Sequence, residues 1–509
     1  MQQPSVEPGS ARHRIALGAS IASVLFVALV AATPASPFSP FLPPGSEPSG
    51  PFRWLAEAIG LDRMHGSALA AVGVVAVALA AVAFLLVLRE AWRGTIPVRA
   101  VVALAVAYHV VLLLLPLLFS RDVYSYGAYG RIAAVYHRNP YVATPADFPA
   151  DPLAPYVGPK WMDTPAVYGP LWTQVSALVV RLAETVGAQI VVFRAIAVGA
   201  SLATLAVVAA LTRRLWPERA AFALAAFGLN PVVLFQSVGS GHNDLLVALA
   251  VAAALLLLAT RRPLLATAAL VLGALVKATA GVPLLLLVIV AVARAPRDER
   301  LRVGASHIAV AGGIALVFAA PFLQTTDPSL GMLELASHEG WLAPSRLLRR
   351  ALDAVSGDTF GVLARVVLPA LLLGALFLIA RSVARRVPTI GPVGEGAGWG
   401  WGLVCLMLLG PVLLPWYVTW ALPLVWLLPR VPRTVLIGTG VALTVSQWTS
   451  EPARFATAYD TNILFGHYVV TPVVVGLLLW LLLDLWRRTR AGAPLEDEPQ
   501  SVPARSGEA

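Results

Sequence analysis

The sequence predicts an all-α, polytopic membrane protein with about 14 transmembrane helices, and two observations support this fold class. Hydrophobic residues make up 58% of the 509 residues, charged residues only 13%, and the mean hydropathy is +0.78. An average soluble domain carries roughly 25% charged residues. Long apolar runs recur from residue 15 to residue 486, and they lack the alternating polarity of barrel strands.

Each apolar run is read as one span, because about 20 helical residues cross a hydrocarbon core of ~30 Å. The predicted spans are approximately 15–33, 67–88, 100–118, 189–212, 219–237, 244–260, 263–277, 279–294, 304–322, 361–381, 400–414, 417–430, 433–448 and 466–486. They divide the chain into a cytoplasmic tail at 1–14, a transmembrane domain at 15–488 and a disordered cytoplasmic tail at 489–509.

The first run resembles a secretory signal peptide in outline, since Arg12, His13 and Arg14 precede apolar residues. The run is longer than the 7 to 15 apolar residues that are usual in such a signal. Proline-rich sequence follows it without a clean small-residue cleavage site. We therefore expect a retained first span.

The arginines indicate how the spans are oriented. Most of the 37 basic residues lie at alternate span ends, as at Arg213-Arg214 and Arg487-Arg488. For a plasma-membrane protein, the positive-inside rule then predicts that loops 34–66, 119–188, 323–360 and 449–465 lie outside. Because the arginines form no single basic patch, the high pI does not indicate a nucleic-acid partner.

An acidic residue opens the longest predicted outer loop, within Ser120-Arg121-Asp122-Val123-Tyr124-Ser125-Tyr126. A helix that begins near Asp122 places Tyr126 and Tyr129 on the same face, at i+4 and i+7. The carboxylate can serve as a helix N-cap, or it can be a catalytic group at the membrane surface. We favour catalysis, because so many polar and aromatic residues crowd this loop.

The same loop ends in an aromatic element, Tyr168-Gly169-Pro170-Leu171-Trp172, in which Gly-Pro predicts a turn. The stretch 170–183 is too polar to span comfortably, so we expect a helix lying in the outer interface. Tyr168 and Trp172 either belong to an aromatic interface belt or pack against a sugar ring.

Polar residues also mark the other predicted outer junctions. His242, Asn243 and Asp244 follow a glycine-rich link, and together they are unusual between two apolar runs. Metal ligation by one imidazole and one carboxylate is a weak signal, so a charge-stabilising role is the preferred interpretation. Trp416 and Tyr417 lie at a further junction, while Glu334, His338, Glu339 and Trp341 lie in the loop that follows span 304–322.

Two cations are candidates for binding a phosphate group. Lys277 lies at the outer end of a short span, and Arg194 lies near the start of span 189–212. Lys277 can instead snorkel toward lipid phosphate. Polar or aromatic groups at five junctions on one side of the membrane predict a single site assembled there.

These motifs resemble the GT-C superfamily of integral membrane glycosyltransferases, through Arg121-Asp122, Tyr168-Gly169-Pro170-Leu171, Lys277 and Pro415-Trp416-Tyr417. A closer similarity is to the actinobacterial polyprenyl-phosphomannose-dependent alpha-1,6-mannosyltransferases of lipomannan and lipoarabinomannan assembly. It is carried by Asp122-Val123-Tyr124-Ser125-Tyr126, Asn139-Pro140-Tyr141 and Ser240-Gly241-His242-Asn243-Asp244.

The resemblance implies a GT-C fold with a catalytic aspartate, Asp122, in the first long outer loop. It implies a polyprenyl-phosphate sugar donor and a membrane-anchored mannan acceptor. The expected substrate-binding residues are Arg121, Tyr126, Tyr168, Trp172, Arg194, His242, Asn243, Asp244, Lys277, Trp416 and Tyr417. No cofactor is required for such a transfer. Arg121-Asp122 differs from the two adjacent acidic residues of some superfamily members, which weakens the case for a divalent metal without closing it.

Two alternatives remain open at this point. A GT-C enzyme that uses another donor, such as polyprenyl-phosphoarabinose, differs only in details of the pocket. A lipid or sugar transporter is also polytopic and apolar, but transporters usually show inverted repeats and polar groups near the midplane. No internal repeat is visible in this sequence, and its polar residues gather at span ends.

Overall fold

The computed structural model describes residues 11–323, 340, 342–356, 361–387, 389–449 and 454–497. All regular secondary structure within these residues is helical, which confirms the all-α prediction. The α-helices are α1 Ala11–Ala31, α2 Pro51–Ala58, α3 Gly66–Trp92, α4 Val98–Leu114, α5 Asp122–Ala134, α6 Pro159–Met162, α7 Pro170–Leu182, α8 Val186–Leu215, α9 Ala220–Gly228, α10 Asp244–Ala259, α11 Pro263–Val276, α12 Gly281–Arg294, α13 Arg300–Ala319, α14 Pro344–Ser356, α15 Gly361–Arg385, α16 Pro392–Leu409, α17 Arg430–Thr444, α18 Ala456–Phe465 and α19 Thr471–Ala491.

Tighter and wider helical turns connect several of these helices. The 3₁₀ segments are Leu61–Arg63, Pro145–Asp147, Pro217–Arg219, Ala278–Ala280, Ala320–Phe322, Pro415–Trp420 and Leu422–Leu427. The π-helical segments are Val232–Val238 and Gly466–Val470.

In the part of the chain that the structure describes, six helical segments are long and apolar enough to cross a membrane. A seventh arises if Pro217–Gly228 and Val232–Val238, which meet at 42°, form one broken span. The six are Ala11–Ala31, Gly66–Trp92, Val186–Leu215, Arg300–Phe322, Val366–Arg385 and Ala456–Ala491. Four shorter apolar helices accompany them. The predicted number of about 14 spans is therefore not confirmed, although most predicted runs do coincide with helices.

One predicted span, 417–430, is not an α-helix. It is replaced by two short 3₁₀ segments, Pro415–Trp420 and Leu422–Leu427, whose residues are all buried. Each segment has a proline in its first turn, and proline cannot continue a preceding helix because it lacks an N–H donor. The structure therefore does not confirm 417–430 as a single helical span.

The predicted boundary of the C-terminal tail, at residue 489, falls inside α19. The chain beyond that helix packs against the bundle: the Trp401 indole donates to the Leu495 carbonyl at 3.0 Å. Arg433 pairs with Asp497 at 2.9 Å. Residues 490–497 are thus part of the folded domain, because their polar groups find partners there.

Small residues and buried polar pairs hold the helices together. All nine residues of α9 are buried, and most are alanine or glycine. Small side chains let helix backbones approach closely inside a membrane. Interhelical hydrogen bonds add to this packing: Ser20 with Tyr108 at 2.9 Å, and the His109 imidazole with Ser201 at 2.7 Å.

The long predicted loop 119–188 is mostly helical and folds back onto the bundle. Helix α5 packs against α7, and a Cβ on Gly130 would clash with the Ser176 carbonyl. The start of α7 is attached to the end of α11, since the Gly169 N–H donates to the Val276 carbonyl at 3.0 Å. These contacts fix the loop beside Lys277, the residue that follows α11.

Candidate active site

Asp122 lies in the first turn of α5, where the preceding serine supports the backbone. The Asp122 N–H donates to the Ser120 hydroxyl at 3.2 Å. Its own carboxylate does not cap the helix and instead faces two groups from other segments. The Tyr168 hydroxyl donates to Oδ2 at 3.3 Å, and His242 Nδ1 lies 3.5 Å from the same oxygen.

The environment of Asp122 favours proton acceptance near neutral pH. Burial raises the pKa of this carboxyl to about 6, although the Lys277 charge opposes the rise. A general base works best when its pKa lies near the operating pH. The side chain is still 19% exposed, so a substrate hydroxyl can reach it. The pKa of the Tyr168 phenol is raised by burial and by Asp122, so the phenol stays a hydrogen-bond donor.

Tyr126, one turn further along α5, connects Asp122 to the next segment. Its hydroxyl donates to Asn243 Oδ1 at 3.4 Å and lies 3.4 Å from His242 Nδ1. Its ring contacts Tyr168 and Trp172 edge-on, at centroid distances of 4.9 and 5.0 Å. Trp172 is only 1% exposed, so its indole packs inside the protein here.

The glycine-rich link turns sharply at Gly241, whose φ is +72°. This left-handed conformation suits glycine, and a Cβ there would lie 2.8 Å from a Val123 methyl group. The turn brings His242, Asn243 and Asp244 into the site, all of them buried. Burial and the Lys277 charge push the pKa of His242 well below its usual value, so its imidazole is neutral.

Lys277 and Asp244 form a buried ion pair in this site. Lys277 Nζ lies 2.8 Å from Asp244 Oδ1, and the Trp420 indole donates to that oxygen at 2.6 Å. The ammonium also lies 4.4 Å from the centre of the Tyr417 ring, a cation–π distance. An ammonium has three donors, so the pairing with Asp244 leaves others for a ligand.

Trp416 packs against the His242 imidazole. The two rings are stacked, with centroids 3.7 Å apart and an interplanar angle of 18°. Trp420 was not among the predicted site residues, because it lies inside the run that was read as a span. The signal that could have found it is the spacing of three aromatic residues in Pro415-Trp416-Tyr417-Val418-Thr419-Trp420.

Arg194 lies close to these residues but its guanidinium is engaged elsewhere. It is 3% exposed, and it donates to the Leu115 carbonyl at 2.6 Å and also to the Leu112 carbonyl. Both carbonyls lie at the C-terminal end of helix α4, where Leu115 is the C-cap and the Leu112 carbonyl also accepts the Leu115 N–H. The structure therefore gives Arg194 a structural role at the end of α4, and Lys277 is the better placed cation. Arg121 is the residue just before α5 and is partly exposed.

An apolar cavity of about 460 Å³ opens beside Lys277. Its walls come from the segment after α11, from α12, from the end of α16 and from the first 3₁₀ segment after α16. The lining residues include Val167, Thr279, Val282, Leu285, Leu406, Val412, Tyr417 and Trp420. The cavity lining thus combines one cation with several aliphatic side chains.

Among the described residues, no group of three histidine, cysteine or acidic side chains lies close enough to hold a metal ion. His242 and Asp122 lie close together, but they supply only two side chains of this kind. Glu334, His338, Glu339 and Trp341 lie outside the described residues.

Comparison with known proteins places the chain in a family. The family model for the alpha-(1->6)-mannopyranosyltransferase N-terminal domain, MptA_B, matches residues 22–294, more than half of the chain. The chain belongs to this family. The match contains Asp122, Tyr168, His242 and Lys277, whereas Trp416 and Trp420 lie beyond its end.

One curated relative of this MptA_B family chain is alpha-(1->6)-mannopyranosyltransferase A of Mycobacterium tuberculosis, strain ATCC 25618 / H37Rv. The two are 26% identical over 342 residues, which is 64% of this chain and 64% of the relative. The alignment therefore spans less than two thirds of the relative. No solved structure matches the chain.

Proposed function

We propose that this protein is an alpha-1,6-mannosyltransferase that uses polyprenyl-phosphomannose as donor. It extends an alpha-1,6-mannan of the lipomannan and lipoarabinomannan type at the outer face of the plasma membrane. Family membership supports the transferase class. The observation that carries the donor class is the cavity beside Lys277, which offers a cation for a phosphate and aliphatic walls for a prenyl chain.

In the proposed reaction, Asp122 accepts the proton of an acceptor hydroxyl. The oxygen attacks the anomeric carbon of the mannosyl phosphate, and the bond from that carbon to the phosphate oxygen breaks. The electron pair leaves with polyprenyl phosphate, whose charge Lys277 stabilises. Asp244 and Trp420 position the Lys277 ammonium through the contacts described above.

The neutral imidazole of His242 supports this assignment of roles. It lies between Asp122 and the Trp416 ring and adds no positive charge beside the base. A protonated imidazole at that distance would lower the pKa of Asp122 and make it a weaker base. We therefore assign His242, Tyr126 and Tyr168 to positioning Asp122.

The function is tested with membranes that contain the full-length protein, labelled polyprenyl-phosphomannose and an alpha-1,6-mannan acceptor. We expect covalent transfer of label to the acceptor and the release of polyprenyl phosphate. Polyprenyl-phosphoarabinose is the matched donor control. Movement of the lipid across the membrane without transfer would contradict the proposal and support a transporter, and preference for the arabinose donor would overturn the mannose assignment.

Replacing Lys277 tests whether its ammonium binds the phosphate of the donor or only anchors the protein at the membrane surface. Lys277→Ala removes a charge-assisted hydrogen bond worth roughly 1.5 to 3 kcal/mol, so transfer at limiting donor should fall about 10- to 100-fold. Lys277→Arg should restore part of it. Steady-state transfer against donor concentration measures the effect, with protein abundance checked in the same membranes.

The chain offers a matched control in Lys160, its other lysine, which is exposed on α6. Lys160→Ala should leave the donor dependence unchanged. Normal transfer by Lys277→Ala at limiting donor would show that Lys277 only pairs with Asp244.

A further inference from the structure

A second, cationic cavity of about 330 Å³ lies between the C-terminal ends of α15 and α19 and shares no lining residue with the cavity beside Lys277. Four arginines line the cavity together with one tryptophan: Arg381, Arg385, Arg386, Arg490 and Trp486. Ser382 and Thr489 add hydroxyl groups to the lining.

The positive charge of this cavity is only partly compensated. Arg386 pairs with Glu496 at 2.8 Å. No carboxylate within the described part of the chain pairs with Arg381, Arg385 or Arg490, and all three are exposed. The Arg490 guanidinium lies 5.3 Å from the Trp486 ring, which orients it at the rim. Several arginines gathered around one cavity favour an anionic ligand with phosphate oxygens.

Helix α15 presents an amphipathic stripe that leads to these arginines. Leu373, Phe377, Arg381 and Arg385 follow at intervals of four residues, which places them along one face of the helix. Leu373 is 69% exposed and Phe377 is 62% exposed. The first two residues of the stripe are therefore exposed and apolar, and the last two are arginines.

Helix α19 carries a matching stripe beside it. Leu479, Leu483, Trp486 and Arg490 follow at intervals of three or four residues. The first three are all exposed. Helices α15 and α19 pack against each other, and the last residues of both stripes, Arg381 and Arg385 on one and Trp486 and Arg490 on the other, line the same cationic cavity.

We propose that this cavity binds an anionic glycerophospholipid, with its phosphate among the arginines and its acyl chains along the two stripes. A free phosphate would use only the arginines, whereas a lipid would also contact the exposed leucines and Phe377. A zwitterionic lipid brings its own cation to the cavity, where it would meet the guanidinium groups. Basic pockets between transmembrane helices recognise anionic headgroups in this way.

The test uses the purified full-length protein in detergent and native mass spectrometry with added phosphatidylglycerol or phosphatidylcholine. We expect phosphatidylglycerol to bind at least about tenfold more tightly than phosphatidylcholine. Neutralising one arginine that contacts the bound headgroup weakens binding of an anionic lipid about fivefold, so Arg381→Gln and Arg490→Gln combined should weaken phosphatidylglycerol binding about 25-fold. Glycerol phosphate, the headgroup without acyl chains, should not compete at comparable concentrations.

Arg487→Gln is the matched control, because Arg487 lies on the same helix, is exposed and does not line the cavity. It should leave lipid binding within about twofold of the unchanged protein. Equal loss in this control would show general charge attraction and overturn the site. Equal binding of the two lipids, or efficient competition by glycerol phosphate, would overturn the lipid assignment.

Discussion

Asp122 accepts a hydrogen bond from the Tyr168 hydroxyl and lies beside the His242 imidazole, so three separate segments of the chain determine its environment. The sequence identifies Asp122, His242 and Lys277 as candidates, because charged or polar groups among apolar runs are rare and need a purpose. The sequence does not show which of these residues are in contact with one another or with other residues. Lys277 meets Asp244 across 33 residues, and Trp420 reaches Asp244 across 176, which only the tertiary structure reveals.

The aromatic predictions illustrate the same limit. The sequence makes Tyr168 and Trp172 candidates for packing against a sugar ring. In the structure, the Trp172 ring is buried against Tyr126 and Phe193. The sequence alone does not distinguish a tryptophan whose ring faces the membrane interface from one whose ring faces the protein interior. The direction is set by the packing of α7 against its neighbours.

Asp122→Asn tests whether the carboxylate is a base. The amide keeps the size of the side chain and can still accept the Tyr168 hydrogen bond, but it cannot take up the proton of the acceptor hydroxyl. Loss of a general base commonly lowers the rate by ~10²- to 10⁴-fold, so transfer should fall at least ~100-fold at normal protein abundance. Initial rates with labelled donor measure the change. Near-normal transfer by this variant would remove Asp122 from the mechanism.

The raised pKa of Asp122 predicts a pH dependence. The base acts as a carboxylate, so activity is present above a pKa of about 6 and is lost as the pH falls through that value. We expect kcat/KM to fall about tenfold per pH unit well below the pKa. The profile is measured between about pH 4.5 and 8 with abundance checked at each pH. A flat profile in that range would contradict the assignment.

At the scale of elements, the sequence predicted helices better than it predicted which of them span. The runs that became α3, α8 and α13 are long and uniformly apolar, and their helices were anticipated within a few residues. The run at 417–430 is also apolar, but it contains two prolines and forms two short 3₁₀ segments that break near Pro423. Hydropathy measures the preference for an apolar environment, which the protein interior supplies as well as lipid does.

Gly241 forms the sharp turn between two elements that brings His242 and Asp244 into the site, and we expect a substitution there to impair transfer. Gly241→Ala places a Cβ in a left-handed conformation and against Val123, at a cost of roughly 1 to 2 kcal/mol before any clash. We expect transfer to fall at least about tenfold because His242 and Asp244 shift. Transfer and thermal unfolding are measured on the same preparations.

Gly199→Ala is the control for that variant. Gly199 lies in α8 and a Cβ there meets nothing within 4 Å, so alanine should leave both readouts unchanged or raise the unfolding temperature slightly. If Gly241→Ala keeps full transfer, the turn does not position the site.

At the scale of the whole molecule, orientation is still a prediction from the arginine distribution. Ser125 lies in the loop that the rule places outside, but it is 3% exposed and a cysteine there would be hidden. Val142, in the same loop, is 59% exposed. Val142→Cys should react with an impermeant thiol reagent in intact cells whose outer wall has been made permeable.

Two internal controls accompany this experiment. Cys405, the single natural cysteine, is buried and should stay unlabelled. Asp298→Cys lies in the exposed connection between α12 and α13 and should react only after lysis of the inner membrane. The reverse labelling pattern would invert the topology and move the candidate site to the other face.

The hydrogen bond from Gly169 to Val276 joins the long loop to the cavity beside Lys277. The Tyr168 hydroxyl donates to Asp122 on one side of this bond, and Lys277 follows Val276 on the other. A Cβ on Gly169 would overlap the Leu275 carbonyl, so the two backbones are in close contact. In the proposed reaction, a donor phosphate that binds Lys277 would therefore act on a segment joined directly to the Tyr168 loop, and donor binding and the position of the proposed base would be linked through the backbone.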